Sequence, residues 1–495
     1  MSDINSNLDK SAKQVFLVFG GNGDLAMRKL LPALYYLEKE NLLDHVDRIV
    51  GLSKTFISDK DYCEKVLENF DRFLDKDEFE EQVWQRFKIK LGYISIDLSK
   101  DTAFESLVEK KAIFKHHSVL SYLALDPIYF GSACQALHLA NLIDDQARVV
   151  LEKPIGTDLQ SSIKVNETVA HYFSESQVFR IDHYLGKETV QNLLALRFGN
   201  FILEPLWKNS GIDNVQITAS ETVGVGNRWN FYHNAGAMRD MVQNHLLQLL
   251  CLVAMEVPLN FDPKDVRDEK LKVLKSLRKI TANDVYEHTV CGQYEGGSVN
   301  GEMVSGYEEE GTHPSQTETF VAIRAHIDNW RWRGVPFYLR TGKRLAKRYS
   351  EIVIQFKSVP HSIFYQENEP QDLQPNKLVI RLQPDDGIEL TLMNKVPSLN
   401  GGPMVLGQQS LKLDFSNVEK SRPIDAYERL LLDFINDNQT LFVRRDEVEA
   451  AWNWVDPIIN AWKQSSVPAK KYTAGSFGPA SSLALPLKDG FEWHE

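Results

Sequence analysis

The sequence predicts an α/β protein of two domains. A Rossmann-like, doubly wound parallel sheet comes first, and a domain with a large, mostly antiparallel sheet and helices follows. Three observations predict this. The chain has 495 residues, which is more than one hydrophobic core usually serves. Short apolar runs alternate with stretches of helical spacing in the first part of the chain, as in parallel α/β folds. Later segments alternate apolar and polar residues, which is typical of antiparallel strands with one covered face.

The first domain is expected at residues 15–188, after a polar tail at residues 1–14. Residues 25–37 have the apolar spacing of a helix and follow closely on the first apolar run. Buried strands of the parallel sheet are predicted by the apolar runs at residues 15–19, 48–52, 119–125 and 149–151.

The second domain is expected at residues 189–495. Helices are predicted at residues 238–255 and 427–434, where apolar residues recur at helical spacing. Antiparallel strands are predicted by alternating patterns at residues 214–219, 351–356, 377–383 and 387–393.

The bulk composition excludes several classes of protein. A net charge of -12 at pH 7 makes the chain a poor partner for nucleic acid. No apolar run approaches the roughly 20 residues that a membrane helix needs, and the N-terminus has no apolar signal segment. The 4 cysteines form no CxxC pair, so we expect neither a disulfide framework nor a bound metal. These features favour a cytoplasmic protein.

The first apolar run leads into a glycine-rich turn, GGNGDLA at residues 20–26. Glycines at this place allow a close approach of the backbone to a pyrophosphate, and the N-terminus of the following helix favours an anion. The spacing is not GxGxxG, so an ordinary turn with Asp24 as a helix cap stays open as an alternative. The position of the turn, after the first strand, favours a dinucleotide site.

The expected second strand is followed by Ser53, Lys54 and Thr55. Enzymes that bind NAD usually carry an acidic residue here, which binds the ribose hydroxyls. A cation with hydroxyl groups suits a 2′-phosphate instead, so the sequence favours NADP and leaves NAD open. The alternative is that Lys54 is an ordinary solvated lysine.

The run RIDHYLGKE at residues 180–188 concentrates polar side chains of several kinds. His183 and Lys187 are four residues apart, so a helix would put them on one face. Such a pad of two cations suits a phosphomonoester. The alternative is a solvated, charged helix end, although the HYLG in the middle of the run is unusual for a surface helix.

A second candidate histidine lies in the stretch MRDMVQNHLLQ at residues 238–248. His245 in such an amphipathic helix would ordinarily be a core residue. Asp240 and His245 are five residues apart, which is about 140° around an α-helix, so the spacing does not put both on one face.

The glycine turn, the RIDHYLGKE run and the stretch around His245 resemble motifs of the glucose-6-phosphate dehydrogenase family. YLALDP at residues 122–127, EKP at residues 152–154 and RTGK at residues 340–343 extend the resemblance, which covers about residues 15–485. The sequence departs from the family's usual residues at four positions, namely Met27, Lys54, Asp126 and His233.

The resemblance implies oxidation of D-glucose 6-phosphate at C1 to 6-phospho-D-glucono-1,5-lactone, with hydride transfer to NADP+, in the oxidative pentose phosphate pathway. It implies that His245 is the general base and that Asp182 supports it. The substrate-binding residues that it implies are Lys153, His183, Tyr184, Lys187, Glu221, Asp240, Lys343 and Arg348. The cofactor-binding residues that it implies are Gly20, Gly21, Asn22, Gly23, Asp24, Leu25, Ala26, Met27, Lys54, Tyr122 and Lys153.

Two other functions stay open at this point. One is an NAD(P)-dependent dehydrogenase of another, unphosphorylated sugar, because EKP also occurs in that broader group. The other is a non-catalytic sensor of sugar phosphates. We expect a homodimer or homotetramer, and a second, structural NADP near Arg381 and Gln383 stays open.

Overall fold

The computed structural model describes residues 13–311, 314–364, 373–397, 404–414, 422, 424–465 and 467–494, which divide into two compact units. Unit 1 comprises the described residues of Met1–Gly186, Asp262–Arg267 and Ile424–Glu449. Unit 2 comprises those of Lys187–Phe261, Asp268–Pro423 and Ala450–Glu495. Most of the expected polar tail lies outside the described residues. The domain limits that the sequence indicates, 15–188 and 189–495, stay a prediction.

Unit 1 is built on a parallel sheet of six strands. The strands are β1 Gln14–Phe19, β2 Val46–Ser53, β3 Leu91–Ser95, β4 Ser118–Leu123, β5 Arg148–Leu151 and β6 Val178–Arg180. Their order across the sheet is β3-β2-β1-β4-β5-β6, and every neighbouring pair is parallel. This is the strand order of doubly wound dinucleotide-binding sheets, so the predicted fold class is confirmed. The order reverses between β1 and β4, whose carboxyl ends lie side by side.

Unit 2 is built on a mixed sheet of nine strands. Its strands and a separate two-stranded hairpin are β7 Ile212–Ser220, β8 Thr289–Glu295, β9 Gly297–Val299, β10 Glu302–Val304, β11 Phe320–His326, β12 Pro336–Gly342, β13 Tyr349–Phe356, β14 Lys377–Gln383, β15 Gly387–Lys395, β16 Leu406–Asp414 and β17 Lys470–Thr473. The sheet order is β16-β15-β14-β13-β7-β12-β11-β8-β17, and β9 pairs with β10. The prediction of a mostly antiparallel sheet is confirmed, although β7 with β12 and β8 with β17 pair in parallel.

Some helices have one buried face, and others, such as Leu247–Ala254, are buried on all sides. The helices are α1 Leu31–Lys39, α2 Asp59–Phe73, α3 Glu81–Lys90, α4 Ala103–Glu109, α5 Phe130–Leu139, α6 Leu159–Ala170, α7 Glu188–Phe198, α8 Trp229–Ala237, α9 Leu247–Ala254, α10 Pro263–Ser276, α11 Val285–His288, α12 Tyr307–Glu310, α13 Ala426–Ile435, α14 Arg445–Gln464 and α15 Ala480–Leu487. Two π-helices, Ala26–Leu30 and Met238–Leu246, run directly into α1 and α9. Among the described helices, none is long and apolar enough to cross a membrane.

Burial explains why these segments form strands and helices. Residues 15–19 of β1 are fully buried, which is what a continuous apolar run in a sheet covered on both faces predicts. Helix α2 begins at a reciprocal cap, in which Ser58 Oγ accepts from Asp61 N at 3.1 Å. Unit 2 contains a buried aromatic cluster that includes Trp229, Tyr232, Tyr294, Tyr307, Phe320, Tyr338, Tyr472 and Trp493.

The turn after β1 requires a glycine, and this requirement can be tested. Gly20 has a φ of +77°, and a Cβ there would lie 2.3 Å from the carbonyl oxygen of Ala124. We expect Gly20→Ala to lower the free energy of unfolding by about 1 kcal/mol through its backbone conformation, and by about 1–3 kcal/mol more through the overlap. Urea unfolding followed by circular dichroism measures the loss.

Gly301 provides the matched control. It has a φ of +86° in the turn between β9 and β10, and a Cβ there would meet nothing within 4 Å. Gly301→Ala should therefore show only the conformational cost of about 1 kcal/mol. Equal losses in the two variants would contradict the role given to Ala124.

Candidate active site

The glycine-rich turn of unit 1 lies where the order of the parallel strands reverses. The N–H groups of Gly20 and Gly21 donate to Leu52 O of β2, at 2.8 and 3.0 Å. The helix that follows begins at Asp24, so the N–H groups of its first turn have no acceptor within the helix. Doubly wound sheets bind ligands at this point, outside the carboxyl ends of the strands. The turn therefore fits the pyrophosphate of a dinucleotide through main-chain N–H groups.

The side chains of the turn differ in how far they are exposed. Ala26 and Met27 are buried, so any contact that they make with a cofactor is through main-chain atoms. Asp24 pairs with Arg28 at 3.3 Å. Lys65 of α2 donates from Nζ to Asn22 Oδ1, which brings an ammonium group to the turn. Nothing in the sequence indicated Lys65, because its partner lies far away along the chain.

Lys54 and Tyr122 occupy opposite extremes of exposure. Lys54 follows β2 and is exposed, as a residue that contacts a 2′-phosphate has to be. Tyr122, in β4, is fully buried, and its hydroxyl donates to Glu152 Oε1 at 2.5 Å. Tyr122 therefore has no side-chain atom at the surface, and any effect that it has on a cofactor runs through Glu152.

Glu152 is the centre of a buried network that holds the EKP segment. Its carboxylate accepts from Tyr122, from Tyr427 at 3.3 Å and from Lys153 N at 3.1 Å. Burial raises the pKa of Glu152, and the hydroxyl of Tyr122 and the charge of Lys153 oppose part of that rise. The network fixes the backbone from which the half-buried side chain of Lys153 extends.

The first residue of the RIDHYLGKE run is structural. Arg180 is 2% exposed at the end of β6. Its guanidinium donates to both carboxylate oxygens of Glu175, at 2.6 and 3.0 Å, and to Asn166 Oδ1 at 2.9 Å. The charge of Arg180 is therefore balanced by Glu175 inside unit 1, which gives this arginine a structural role.

The rest of the run is a turn, so the helical arrangement considered for His183 and Lys187 is not the one observed. Asp182 Oδ1 accepts from Tyr184 N at 2.9 Å, and Asp182 O accepts from Leu185 N at 3.0 Å. An aspartate side chain that bonds to the backbone two residues on favours a turn over a helix. Helix α7 begins only at Glu188, so His183 and Lys187 do not share a helix face.

The two predicted phosphate ligands have different surroundings. His183 is half-buried, and its ring stacks with that of Tyr427 at a centroid distance of 6.5 Å. Lys187 is half-buried and lies directly before α7, and the charge of its ammonium group affects the pKa of Asp386. Burial raises the pKa of Asp386, and the charge of Lys187 opposes part of the rise.

Asp240 and His245 lie on the π-helix Met238–Leu246. In a π-helix each N–H bonds to the carbonyl five residues earlier and one turn takes about 4.4 residues, so residues five apart lie only about 50° apart around the axis. The two side chains therefore lie on the same face, and the α-helical spacing assumed from the sequence is wrong. His245 is fully buried, and Asp240 is half-buried. Asp182 belongs to unit 1 and His245 to unit 2, so their pairing stays a prediction.

Glu221 and Lys343 form an ion pair at the ends of adjacent strands. Glu221 follows β7 and Lys343 follows β12, which pair in parallel, and Lys343 Nζ lies 2.5 Å from Glu221 Oε2. Lys343 is 9% exposed and lies over the ring of Tyr232, at 5.2 Å from its centroid. Arg348, in contrast, is exposed.

Tyr232 joins these residues to the π-helix, and the sequence analysis missed it. Burial raises the pKa of Tyr232 well above its usual value, and the charges of Asp240, Glu318 and Glu221 raise it further. Tyr232 is thus in contact with Lys343, and its pKa responds to the charges of three carboxylates of unit 2. Because Tyr232 looks like any core aromatic in the sequence, only its neighbours in the fold reveal it.

Comparison with known proteins shows the family of the chain. A family model described as "Glucose-6-phosphate dehydrogenase, NAD binding domain" matches residues 17–192, and one described as "Glucose-6-phosphate dehydrogenase, C-terminal domain" matches residues 194–494. The glucose-6-phosphate 1-dehydrogenase of Rhizobium meliloti (strain 1021) is 50% identical over 481 residues, which are 97% of each chain. That of Mycolicibacterium smegmatis is 48% identical over 484 residues, again 97% of each chain.

The chain belongs to the glucose-6-phosphate dehydrogenase family.

Solved structures of the family are similar to the whole chain. A glucose-6-phosphate dehydrogenase in complex with its substrate glucose 6-phosphate has a TM-score of 0.87 at 35% identity and covers 98% of this chain and 99% of its own. The enzyme from Mycobacterium avium has a TM-score of 0.83 at 33% identity, with the same coverage. The N-terminal unit of this dehydrogenase family member is thus an NAD(P)-binding domain, and the glycine turn at the strand reversal fits a nicotinamide dinucleotide.

The unpartnered hydroxyl of Tyr232 leads to a test of stability. Among the described residues the buried hydroxyl has no hydrogen-bond partner. Replacing such a group by a hydrogen removes a desolvation penalty, so Tyr232→Phe should leave the free energy of unfolding unchanged or raise it by up to about 1 kcal/mol. Urea unfolding measures it.

Tyr232→Leu is the matched comparison, because it also removes the ring face under Lys343. It should lower the free energy of unfolding by at least about 2 kcal/mol, through the cavity and the lost cation–π contact. A Tyr232→Phe variant as unstable as Tyr232→Leu would contradict the assignment of an unbonded hydroxyl.

Proposed function

We propose that this family member oxidises D-glucose 6-phosphate at C1 to 6-phospho-D-glucono-1,5-lactone, with NADP+ as the hydride acceptor. The observation that supports it most is the π-helix, which gives His245 and Asp240 a common face in a chain that matches the family over both domains. A base and a hydroxyl ligand on one face are what the oxidation of a sugar alcohol needs.

The residues after β6 bind the substrate phosphate in this proposal. His183, Tyr184 and Lys187 provide a ring N–H, a phenol and an ammonium group, and the tight turn at Asp182 sets their directions. In this proposal the turn brings the three side chains together, so the anion site does not need a helix. Anchoring the phosphate holds C1 in register with the base.

Four further residues bind the sugar ring and its substituents. Glu221 and Asp240 accept hydrogen bonds from sugar hydroxyls, and the ion pair with Lys343 keeps Glu221 in place. Lys153 extends toward the substrate from the backbone that Glu152 braces. Arg348 is exposed, and its guanidinium contacts the substrate from the solvent side.

His245 is the general base that takes the proton of the C1 hydroxyl. Its full burial excludes bulk water from the imidazole and favours transfer from a bound hydroxyl. Asp182 accepts from the other ring N–H and stabilises the imidazolium that forms. NADP+ held by unit 1 would supply the acceptor for the hydride that leaves C1.

The cofactor is held by unit 1. Main-chain N–H groups at the start of the helix that begins at Asp24 bind its pyrophosphate, because those of Gly20, Gly21 and Gly23 already bond to backbone carbonyls. The exposed Lys54 binds the 2′-phosphate, which gives the preference for NADP over NAD. Lysine makes a point contact with a phosphate where an arginine makes two parallel bonds, so we propose a preference rather than strict use of NADP.

The setting that we propose is a homodimer or homotetramer in the cytoplasm. All 4 cysteines are free thiols, which fits a reducing compartment. Leu411 and Leu413 of the edge strand β16 are each 60% exposed, and apolar residues on a sheet edge are suited to contact with a second chain.

Steady-state kinetics test the proposed function. We expect turnover of glucose 6-phosphate, followed by the absorbance of the reduced nicotinamide, with a higher kcat/KM for NADP+ than for NAD+. Glucose should be poorer by at least about 10³-fold in kcat/KM, because its oxidation leaves the phosphate site unpaired. Equal turnover of glucose would favour a dehydrogenase of unphosphorylated sugars. No turnover with either cofactor would favour the sensor and overturn the proposal.

His245→Asn tests the base. We expect kcat to fall by about 10²- to 10⁴-fold, because the amide cannot take the proton. The dissociation constant of glucose 6-phosphate, measured by calorimetry, should change less than about threefold, since the phosphate and hydroxyl contacts remain. His138→Asn, at an exposed histidine of α5, is the control and should leave both quantities unchanged. A His245→Asn variant with near-normal kcat would exclude His245 as the base.

A further inference from the structure

The segment before the π-helix breaks at a glycine. Gly236 has a φ of 66° and a ψ of 170°, so helical geometry stops there and starts again at the next residues. A Cβ at this position would lie 2.3 Å from Glu318 Oε1. Glycine is therefore needed for two reasons, namely the backbone conformation and the close approach of a carboxylate.

Glu318 satisfies the first N–H groups of the restarted helix. Its carbonyl accepts from Ala237 N at 2.9 Å, and its Oε1 accepts from Met238 N at 3.0 Å. These N–H groups have no acceptor within the helix, and a carboxylate at a helix N-terminus is favoured by the helix dipole. Burial raises the pKa of Glu318, and the N–H of Met238 opposes part of that rise.

The neighbours of Glu318 hold the same region by side-chain bonds. Thr317 Oγ1 donates to His233 O at 2.7 Å, and Ser315 Oγ lies 3.0 Å from His233 Nδ1. Gln293 of β8 donates from Nε2 to Ser315 O at 2.8 Å and to Thr317 O at 2.9 Å. Residues 315–318, which we call the clamp, thus connect the nine-stranded sheet to the start of the π-helix.

We infer that Glu318 is a positioning residue for catalysis, because it fixes the point at which the π-helix begins. The inference rests on the roles proposed for Asp240 and His245. A helix that began one residue earlier or later would turn every side chain on it by roughly a quarter of a turn. The common face of Asp240 and His245 would then no longer point at one substrate. Glu318 sets this register from 80 residues away along the chain.

Glu318→Ala provides the test, measured per active site. Calorimetry with glucose 6-phosphate counts the binding sites, and kcat is expressed per site so that a smaller folded fraction does not lower it. We expect kcat per site to fall by about 10- to 100-fold, since small misplacements of reacting groups have effects of this size. Fewer sites with full kcat at each would mean that Glu318 only stabilises the fold, and unchanged kcat per site would likewise overturn the inference.

Two conservative variants separate the contact from the charge. Glu318→Gln keeps an acceptor oxygen for Met238 N and should stay within about threefold of the native kcat per site. Glu318→Asp keeps the charge but withdraws the carboxylate by one methylene, so it should lose kcat, and it replaces Glu318→Ala if that variant does not fold. A Gln variant as slow as the Ala variant would contradict the hydrogen bond as the cause. Glu302→Ala, at an exposed glutamate of β10, is the matched control.

Hydrogen exchange tests the inference without any turnover. In Glu318→Ala the amides of residues 238–246 should exchange faster, while those of β11 and β12 should keep their native rates. Unchanged exchange at residues 238–246 would overturn the role of Glu318. Absence of turnover in the native protein would instead overturn the proposed function, and the exchange result would stand independently.

Discussion

The N–H groups at the start of a helix need acceptors, and the glycine turn of unit 1 and the π-helix of unit 2 are both built on this constraint. In unit 1 the chain turns at Gly20 and a helix begins at Asp24. In unit 2 the chain turns at Gly236 and a helix begins again at Met238. Each glycine has a positive φ, and at each a Cβ would lie 2.3 Å from an oxygen atom. Each helix then opens with a π-helical segment.

The two helix starts differ in what accepts their N–H groups. At Met238 the acceptor is the protein's own carboxylate, that of Glu318, so the helix start is closed and fixed. After Gly20 the first turn carries an exposed glycine, Gly23, and among the described residues beyond its chain neighbours only Gly20 O comes within 4 Å of the place where its Cβ would lie. An anion such as a pyrophosphate can occupy that start. One local geometry thus serves to position side chains in unit 2 and to bind a ligand in unit 1.

The parts of the fold that depend on composition along the chain could be predicted from the sequence. Strands β1, β2, β4 and β5 were predicted because buried parallel strands are continuous apolar runs, and β14 was predicted with its observed bounds, Lys377–Gln383. The strand order of unit 1 follows from the general rule for doubly wound sheets. Parallel pairing of β7 with β12 was not predicted, because alternation of apolar and polar residues does not distinguish the two directions.

The geometry of the site was harder to predict, because it depends on the local backbone conformation. A spacing of four or five residues has a geometric meaning only when the type of turn is known. The side chain of Asp182 makes residues 182–185 a turn, so the four-residue spacing of His183 and Lys187 does not give them a common helix face. The π-helix brings residues that are five apart closer to a common face than an α-helix would. Glu318 and Tyr232 act through partners that are distant in sequence, which no local pattern contains.

The residues of the RIDHYLGKE run have different roles, although the run matches the family motif as a whole. Arg180 uses its whole guanidinium on Glu175 and Asn166, Asp182 shapes the turn with one carboxylate oxygen, and Gly186 leaves no room for a Cβ beside Ala426 O, at 2.6 Å. These three residues build the backbone that directs His183 and Tyr184. Changes at Arg180 or Gly186 would therefore move the proposed phosphate ligands without touching the phosphate, and their effects on substrate affinity would report on the turn rather than on a direct contact.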